Sequence, residues 1–168
     1  MKYMGCVVAL LLALPAFAAI PAKKVAAPKI LSGMGETFGG LAGTGFTLLD
    51  VRKTVDKSKK VERVVFDIGD MAGAKMRGWP GYFHAELKNK PQRLVLSFSQ
   101  MPSSHVDSTS LASRMKDSLA VKGTALSLDP VDSSLNLSFD LKQNTKVRVY
   151  QVAGKKTTSK VVIDFMTE

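Results

Sequence analysis

Few side chains in this sequence combine the type and spacing that catalysis or metal binding requires. The two histidines, His84 and His105, share no compact spacing with each other or with further metal ligands. His105 lies close to Asp107 in a serine-rich loop, but the strained turn that exposes a nucleophilic serine in hydrolases does not accompany this pair. The only cysteine, Cys6, lies in the apolar N-terminus. We therefore expect no enzyme activity, no bound metal and no cofactor.

The acidic and glycine-rich segments also lack a catalytic pattern. Asp67, Asp140 and Asp164 fall at outward positions of alternating runs or near strand ends, whereas two-carboxylate catalysis would require inward-facing acids on the sheet. The glycine-rich segment 39–45 is not followed by the Lys-Ser/Thr pair of a phosphate-binding loop.

Arginine and aromatic side chains give the stronger signal, and it points to binding. Apolar alternation places Arg63, Arg93 and Arg148 on the solvent face of their strands. An arginine can hold a carboxylate through two parallel hydrogen bonds, and Tyr150 or Trp79 can pack on a sugar ring. The alternative is that the three arginines and Tyr150 are ordinary solvent-facing residues. Trp79 either folds back over the end of the domain or stays exposed as a stacking surface.

Short β-branched and aromatic runs separated by turn residues predict an all-β domain over residues 46–168. Leu135, Leu137 and Phe139 alternate with polar residues, as in an antiparallel strand with one buried face. The segments "KNKP", "PVDS" and "GKKTTS" predict hairpins. Eight runs have strand character: 45–53, 60–69, 81–87, 92–99, 123–129, 133–142, 145–153 and 160–166. The pattern predicts a two-sheet antiparallel β-sandwich, or an open barrel, with one short helix.

A short helix is predicted between the first and second of these hairpins. Leu111, Met115 and Leu119 are spaced four residues apart, so they share one helical face. We expect Ser108 or Ser110 to cap its start and Gly123 to end it.

The N-terminus has the features of a secretory signal peptide over residues 1–18. Lys2 precedes an apolar core, and Ala16-Phe17-Ala18 forms a small-residue cleavage site. The apolar run is short for a membrane span and contains Pro15, which favours cleavage over retention as an anchor. Residues 19–45, rich in Ala, Gly and Pro, predict a flexible linker. We therefore expect an exported protein, periplasmic or cell-wall associated, without an integral membrane span.

The formal net charge of +10 at pH 7 favours anionic partners. Export argues against nucleic acid and directs attention to cell-wall glycopeptide, teichoic acid or lipopolysaccharide. The alternative is a solvated basic surface without a specific partner.

The segment "ELKNKPQRLVLSFSQMP" resembles the AMIN domain, a small module of bacterial envelope proteins. The resemblance covers residues 46–166, with "RVVFDI" (63–68) as the opening strand and "KVVIDF" as a late one. Its best-matching positions are Pro91, Arg93, Leu94, Val95, Leu96 and Phe98. The family often has an acid where Ser97 stands here. The resemblance implies two small antiparallel sheets packed as a sandwich, which bind peptidoglycan and localise a host protein at the cell wall.

Two functions follow as expectations. In the first, a non-enzymatic envelope module binds peptidoglycan on one basic sheet face, where the three arginines hold peptide-stem carboxylates and Tyr150 or Trp79 packs on sugar. In the second, the chain is a protein–protein interaction accessory of a pilus, secretion or division complex and recruits a partner strand at a sheet edge. A long uncharged edge strand would favour the second function, whereas lysine-rich strand ends argue against it.

Overall fold

The strand-forming segments assemble into two sheets that pack face to face, so the predicted all-β sandwich is confirmed. The computed structural model describes residues 25–43, 45–142, 145–155 and 158–167. The predicted signal peptide lies outside the described residues. Among the helices of the described residues, none has the length and apolar character needed to cross a bilayer.

Every predicted strand is present in the described residues, together with three short strands that were not predicted. The strands are β1 (Lys29–Ile30), β2 (Glu36–Phe38), β3 (Phe46–Asp56), β4 (Val61–Asp70), β5 (Phe83–Asn89), β6 (Gln92–Phe98), β7 (Ser103–Ser104), β8 (Val121–Asp129), β9 (Ser134–Leu141), β10 (Thr145–Val152) and β11 (Ser159–Thr167). The unpredicted strands β1, β2 and β7 are only two or three residues long, which is too short to show a period in sequence.

The strands form a six-stranded first sheet, in the order β1-β10-β11-β4-β3-β7, and a five-stranded second sheet, in the order β2-β5-β6-β9-β8. Neighbouring strands are antiparallel except for β3 and β7, which are parallel. The three predicted hairpins are β5–β6, β8–β9 and β10–β11. Each hairpin stays within one sheet, so the chain changes sheet in the connections between hairpins.

The core lies between the sheets and is centred on phenylalanines. Phe66 and Phe165 of the first sheet meet Phe139 of the second, with ring centroids 6.1 Å and 6.0 Å apart respectively. Burial of one such side chain contributes about 2–3 kcal/mol. The inward positions predicted from alternation are all buried: Val64, Phe66, Ile68, Phe83, Ala85, Leu87, Leu94, Leu96, Phe98, Leu135, Leu137, Phe139, Leu141, Val147 and Val149.

The predicted helix is present as α1 (Ser108–Arg114), but both of its predicted ends are wrong. Asp107, rather than a serine, is the N-cap, and its carboxylate accepts a hydrogen bond from the backbone N–H of Ser110 at 2.6 Å. Gly123 does not end the helix, because the chain has already entered β8 at that residue. The hydroxyl of Ser108 instead donates to the backbone carbonyl of Leu126 at 2.9 Å, which ties the helix to β8.

The predicted flexible linker is wrong for residues 25–43, because this segment is paired and packed. β1 pairs with β10 and β2 pairs with β5, so the segment contacts both sheets. Phe38 is buried and stacks on Phe83 with ring centroids 4.6 Å apart. One glycine here serves close packing: a Cβ at Gly40 would lie 2.0 Å from the Pro80 carbonyl oxygen. The domain therefore begins no later than Val25, rather than at residue 46.

This packing predicts that Phe38→Ala lowers the free energy of unfolding by about 3–4 kcal/mol, since the substitution removes a stacked ring and leaves a cavity. Met34→Ala is the control in the same segment, because Met34 is 82% exposed and its loss should change stability by less than about 0.5 kcal/mol. Urea unfolding of both variants measures the difference. Equal stability of the two variants would contradict the packing of this segment.

Candidate functional site

Two of the predicted arginines meet on the outer face of the first sheet. In the strand register, Asp164 of β11 lies directly between Arg148 of β10 and Arg63 of β4. Residues opposite each other in antiparallel strands point to the same face, so the three side chains form one row. Tyr150 lies two residues beyond Arg148 on the same face. We refer to Arg63, Arg148, Tyr150 and Asp164 as the Asp164 cluster.

Asp164 accepts hydrogen bonds from both arginines. Arg63 donates from Nε to Oδ1 at 2.6 Å and from Nη2 to Oδ2 at 3.0 Å, so this ion pair is bidentate. Arg148 donates from Nε and Nη2 to Oδ2 at 3.1 Å and 2.5 Å. The carboxylate is 0% exposed although it points away from the core, because the two arginine side chains lie over it.

The charges within the cluster follow from these contacts. Burial alone would raise the pKa of Asp164, but the hydrogen bonds from Arg63 and Arg148 outweigh burial and lower this pKa below its usual value. The hydrogen bond to Asp164 in turn raises the pKa of Arg63. The Arg63 guanidinium carbon also lies 5.8 Å from the centroid of the Tyr150 ring, within cation–π range. At neutral pH the cluster therefore holds two cations and one anion.

The cluster has N–H donors that Asp164 does not use. The arginine side chains are 44% and 35% exposed, and each guanidinium has five N–H donors, of which Asp164 occupies only some. Both arginines line a cleft of about 230 Å³. The other residues that line this cleft are Thr54, Asp56, Lys59 and Val61. The volume suits one carboxylate-bearing group rather than a complete disaccharide.

A second buried carboxylate on the same face has a similar environment. Asp67 of β4 accepts hydrogen bonds from Arg52, Lys160 and Thr158. Burial would raise the pKa of Asp67, but these partners lower it below its usual value. Alternation correctly assigned Asp67 and Asp164 to the outer face. Alternation does not predict that the two carboxylates are buried. They are buried because long basic side chains from neighbouring strands cover them, and the order of the strands is not apparent in sequence.

The expectation that all three arginines share one face is wrong. Arg93 lies on β6 in the second sheet, where its Nε donates to Oδ1 of Asp140 on β9 at 2.5 Å. Outer faces of the two sheets of a sandwich point in opposite directions. Arg93 is therefore on the other side of the molecule from Arg63 and Arg148.

Trp79 is also separate from the Asp164 cluster. It is half-buried and lines its own cleft of about 240 Å³ with Ala26, Gly39, Gly40 and Gln151. Gln151 is buried and points inward from β10, opposite to its neighbour Tyr150. Trp79 thus combines features of both alternatives, since it is half-buried but retains an open surface.

The remaining chemically capable residues are dispersed. His84 is exposed on β5, with Nδ1 3.1 Å from the hydroxyl of Thr37. Glu62 is a buried inward-facing acid that sequence reasoning missed. It accepts hydrogen bonds from the Ser118 hydroxyl and from the backbone N–H of Leu119, and so anchors the turn after α1.

In the part of the chain that the structure describes, no group of three or more His, Cys, Asp or Glu residues is placed to hold a metal ion.

The Asp164 cluster predicts a stability defect that depends on pH. Asp164→Asn leaves two guanidiniums without their counter-charge and should lower the free energy of unfolding at pH 7 by about 3 kcal/mol. Because the pKa of Asp164 is lowered in the folded state, its contribution is complete above about pH 4 and disappears as pH falls through the folded-state pKa. The stability gap between wild type and variant should therefore narrow in acid, as measured by urea unfolding at a series of pH values.

Asp140→Asn is the matched control, because Asp140 also pairs with an arginine but remains partly exposed. It should cost about 1 kcal/mol or less. A gap for Asp164→Asn that does not change with pH, or equal costs for the two variants, would contradict the description of the cluster.

No protein-family model and no curated protein sequence matches this chain.

Proposed function

We propose that this chain is a non-enzymatic module of the bacterial cell envelope that binds peptidoglycan through the Asp164 cluster. The observation that carries the proposal is a pair of partly exposed arginines whose orientation is fixed by one buried carboxylate. Side chains held in place before binding lose less entropy when a ligand arrives. Asp164 is thus a positioning residue, and Arg63 and Arg148 are the residues that contact ligand.

The chemistry of the cleft matches the peptide stems of peptidoglycan. These stems carry carboxylates, and a guanidinium can hold a carboxylate through parallel N–H donors. Lys59 lines the same cleft and adds a third cation, which is partly offset by Asp56 at 3.4 Å. Tyr150 offers an aromatic surface for the adjoining sugar or peptide. Of the five residues predicted from sequence to bind ligand, the proposed site keeps Arg63, Arg148 and Tyr150. Lys59 is added to them.

Three sequence features support the envelope setting: the predicted signal peptide, the basic net charge of +10 and the resemblance to the AMIN domain. The cell wall is an anionic polymer that an exported basic protein meets directly. A module of this kind would localise or scaffold at the wall without acting on it. Arg93 and Trp79 lie on other surfaces and have no part in the proposed site.

The alternative, recruitment of a partner strand, has one observation in its favour and one against it. Of the edge strands in the described sheets, β8 alone exceeds three residues, and it has no charged residue from Gly123 to Leu128. However, α1 packs on β8, and the Ser108 hydroxyl already occupies the Leu126 carbonyl. A helix that covers an edge strand opposes pairing with another chain. The Asp164 cluster is therefore the better supported site.

Cosedimentation of the purified protein with cell-wall sacculi tests the proposal. We expect wild type to be retained at low salt and released as ionic strength rises, because the contacts are electrostatic. Arg63→Lys combined with Arg148→Lys keeps the charge but removes the forked donors, so affinity should fall about tenfold, or about 1.4 kcal/mol.

The control is Arg93→Lys, which alters the same kind of arginine–aspartate pair on the opposite face and should leave retention unchanged. Thermal unfolding of each variant establishes that it is folded. Absence of wild-type retention at low salt, or an equal loss in the Arg93 variant, would count against the proposed site.

A further inference from the structure

A second basic cleft lies between α1 and the first residues of β8 and shares no residue with the Asp164 cluster. We refer to it as the α1–β8 cleft. Its volume is about 380 Å³. The polar residues that matter are Ser113, Lys116, Lys122, Thr124 and Lys142, and Asp117 is the single acid among the residues that line it. Three of the lining residues are thus lysines and one is an acid, while the Asp140 carboxylate lies next to Gly123 and is paired with Arg93.

Local structure explains why the lysines converge. β8 has a β-bulge between Val121 and Gly123, which makes Lys122 the extra residue of the strand. A bulge redirects the side chain that it carries, and Lys122 lines the cleft. Lys142 follows β9, and its Nζ donates to the Ser118 carbonyl at 2.8 Å. This hydrogen bond holds the ammonium group at the cleft and leaves its other two N–H donors for a ligand.

Lys116 lies in the turn that follows α1. Its backbone carbonyl accepts a hydrogen bond from Nζ of Lys53, which fixes the turn and brings a further cation close to it. In the described ranges, neither Lys116 nor Lys122 has an acidic partner within ion-pair distance. Both charges are therefore available to a ligand.

Thr124 supplies an independent observation. It lies opposite Phe139 in the register and lines the α1–β8 cleft. Its hydroxyl oxygen is buried and has no hydrogen-bond partner among the described residues. Folded proteins rarely leave a buried hydroxyl unpaired, because an unmade hydrogen bond lowers stability. Because water does not reach this hydroxyl as the side chains stand, a ligand oxygen would become its partner once the side chains at the cleft move apart.

We propose that the α1–β8 cleft binds a phosphate group. Lysine ammonium groups act as compact point charges that suit a multiply charged tetrahedral anion, whereas the forked arginines of the Asp164 cluster suit a planar carboxylate. Three lysines with the hydroxyls of Ser113 and Thr124 provide donors from several directions. The phosphate comes either from a soluble phosphate ester or from a lipid headgroup. The proposal does not depend on peptidoglycan binding.

Titration of the ¹⁵N-labelled purified protein with inorganic phosphate, at an ionic strength held constant with chloride, tests this site. We expect saturable amide shifts at Ser113, Lys122 and Thr124. Lys116→Gln combined with Lys122→Gln should weaken phosphate binding about tenfold or more. Lys75→Gln combined with Lys90→Gln removes the same charge from exposed positions elsewhere and should leave binding unchanged. Unsaturable shifts, or an equal loss in the control pair, would overturn the proposal.

Thr124→Val separates binding from folding, because it removes the hydroxyl and keeps the shape of the side chain. We expect weaker phosphate binding together with a melting temperature, measured without phosphate, that is equal to or higher than that of wild type. A variant that binds phosphate as tightly as wild type would overturn the assignment of Thr124.

Vesicle flotation distinguishes the two sources of phosphate. Binding to phosphatidylglycerol vesicles but not to phosphatidylcholine vesicles, lost in the Lys116/Lys122 variant, supports the site and identifies a lipid headgroup. Saturable binding of glycerol phosphate without vesicle binding supports the site and identifies a soluble ester. Binding of neither would overturn the proposal. The Lys116/Lys122 variant should keep wild-type retention on sacculi, so this site and the Asp164 cluster can fail separately.

Discussion

The packing of two sheets around buried phenylalanines is the interaction on which the rest of this structure depends. The chain has a single cysteine, so no intrachain disulfide can contribute, and burial of apolar surface has to hold the sheets together. Phe66, Phe139 and Phe165 meet at the centre of that interface. Because packing fixes which face of each strand points inward, it also fixes which side chains point outward.

The outer face of the first sheet shows the consequence of this constraint. Register places Arg148, Asp164 and Arg63 in one row, and the two arginines cover a carboxylate that water would otherwise reach. Removing a carboxylate from water is costly, and charge-assisted hydrogen bonds from both sides offset that cost. These buried ion pairs add little net stability to the fold, but they fix the orientation of the two arginines. Orientation is the property that a carboxylate-binding site requires.

Local features of this fold were predictable from sequence, and non-local features were not. Alternation and turn residues predict the hairpins and the inward faces because both depend on neighbours in the chain. Which hairpins share a sheet depends on contacts between distant segments, which the sequence pattern does not reveal. The pattern therefore places Arg93 and Arg63 on one face, although they lie on different sheets. The segment around Phe38 resembled a linker because its glycines, Gly40 among them, permit close backbone packing as well as flexibility.

In the proposed site, Arg63 and Arg148, positioned by Asp164, contact the carboxylates of peptidoglycan. The side-chain ¹H–¹⁵N spectrum of the arginine Nε groups, recorded while a soluble peptidoglycan fragment is added, tests it most directly. We expect saturable shifts of the Nε–H signals of Arg63 and Arg148, with the signal of Arg93 unchanged. Saturable shifts at Arg93 alone, with Arg63 and Arg148 unaffected, would contradict it.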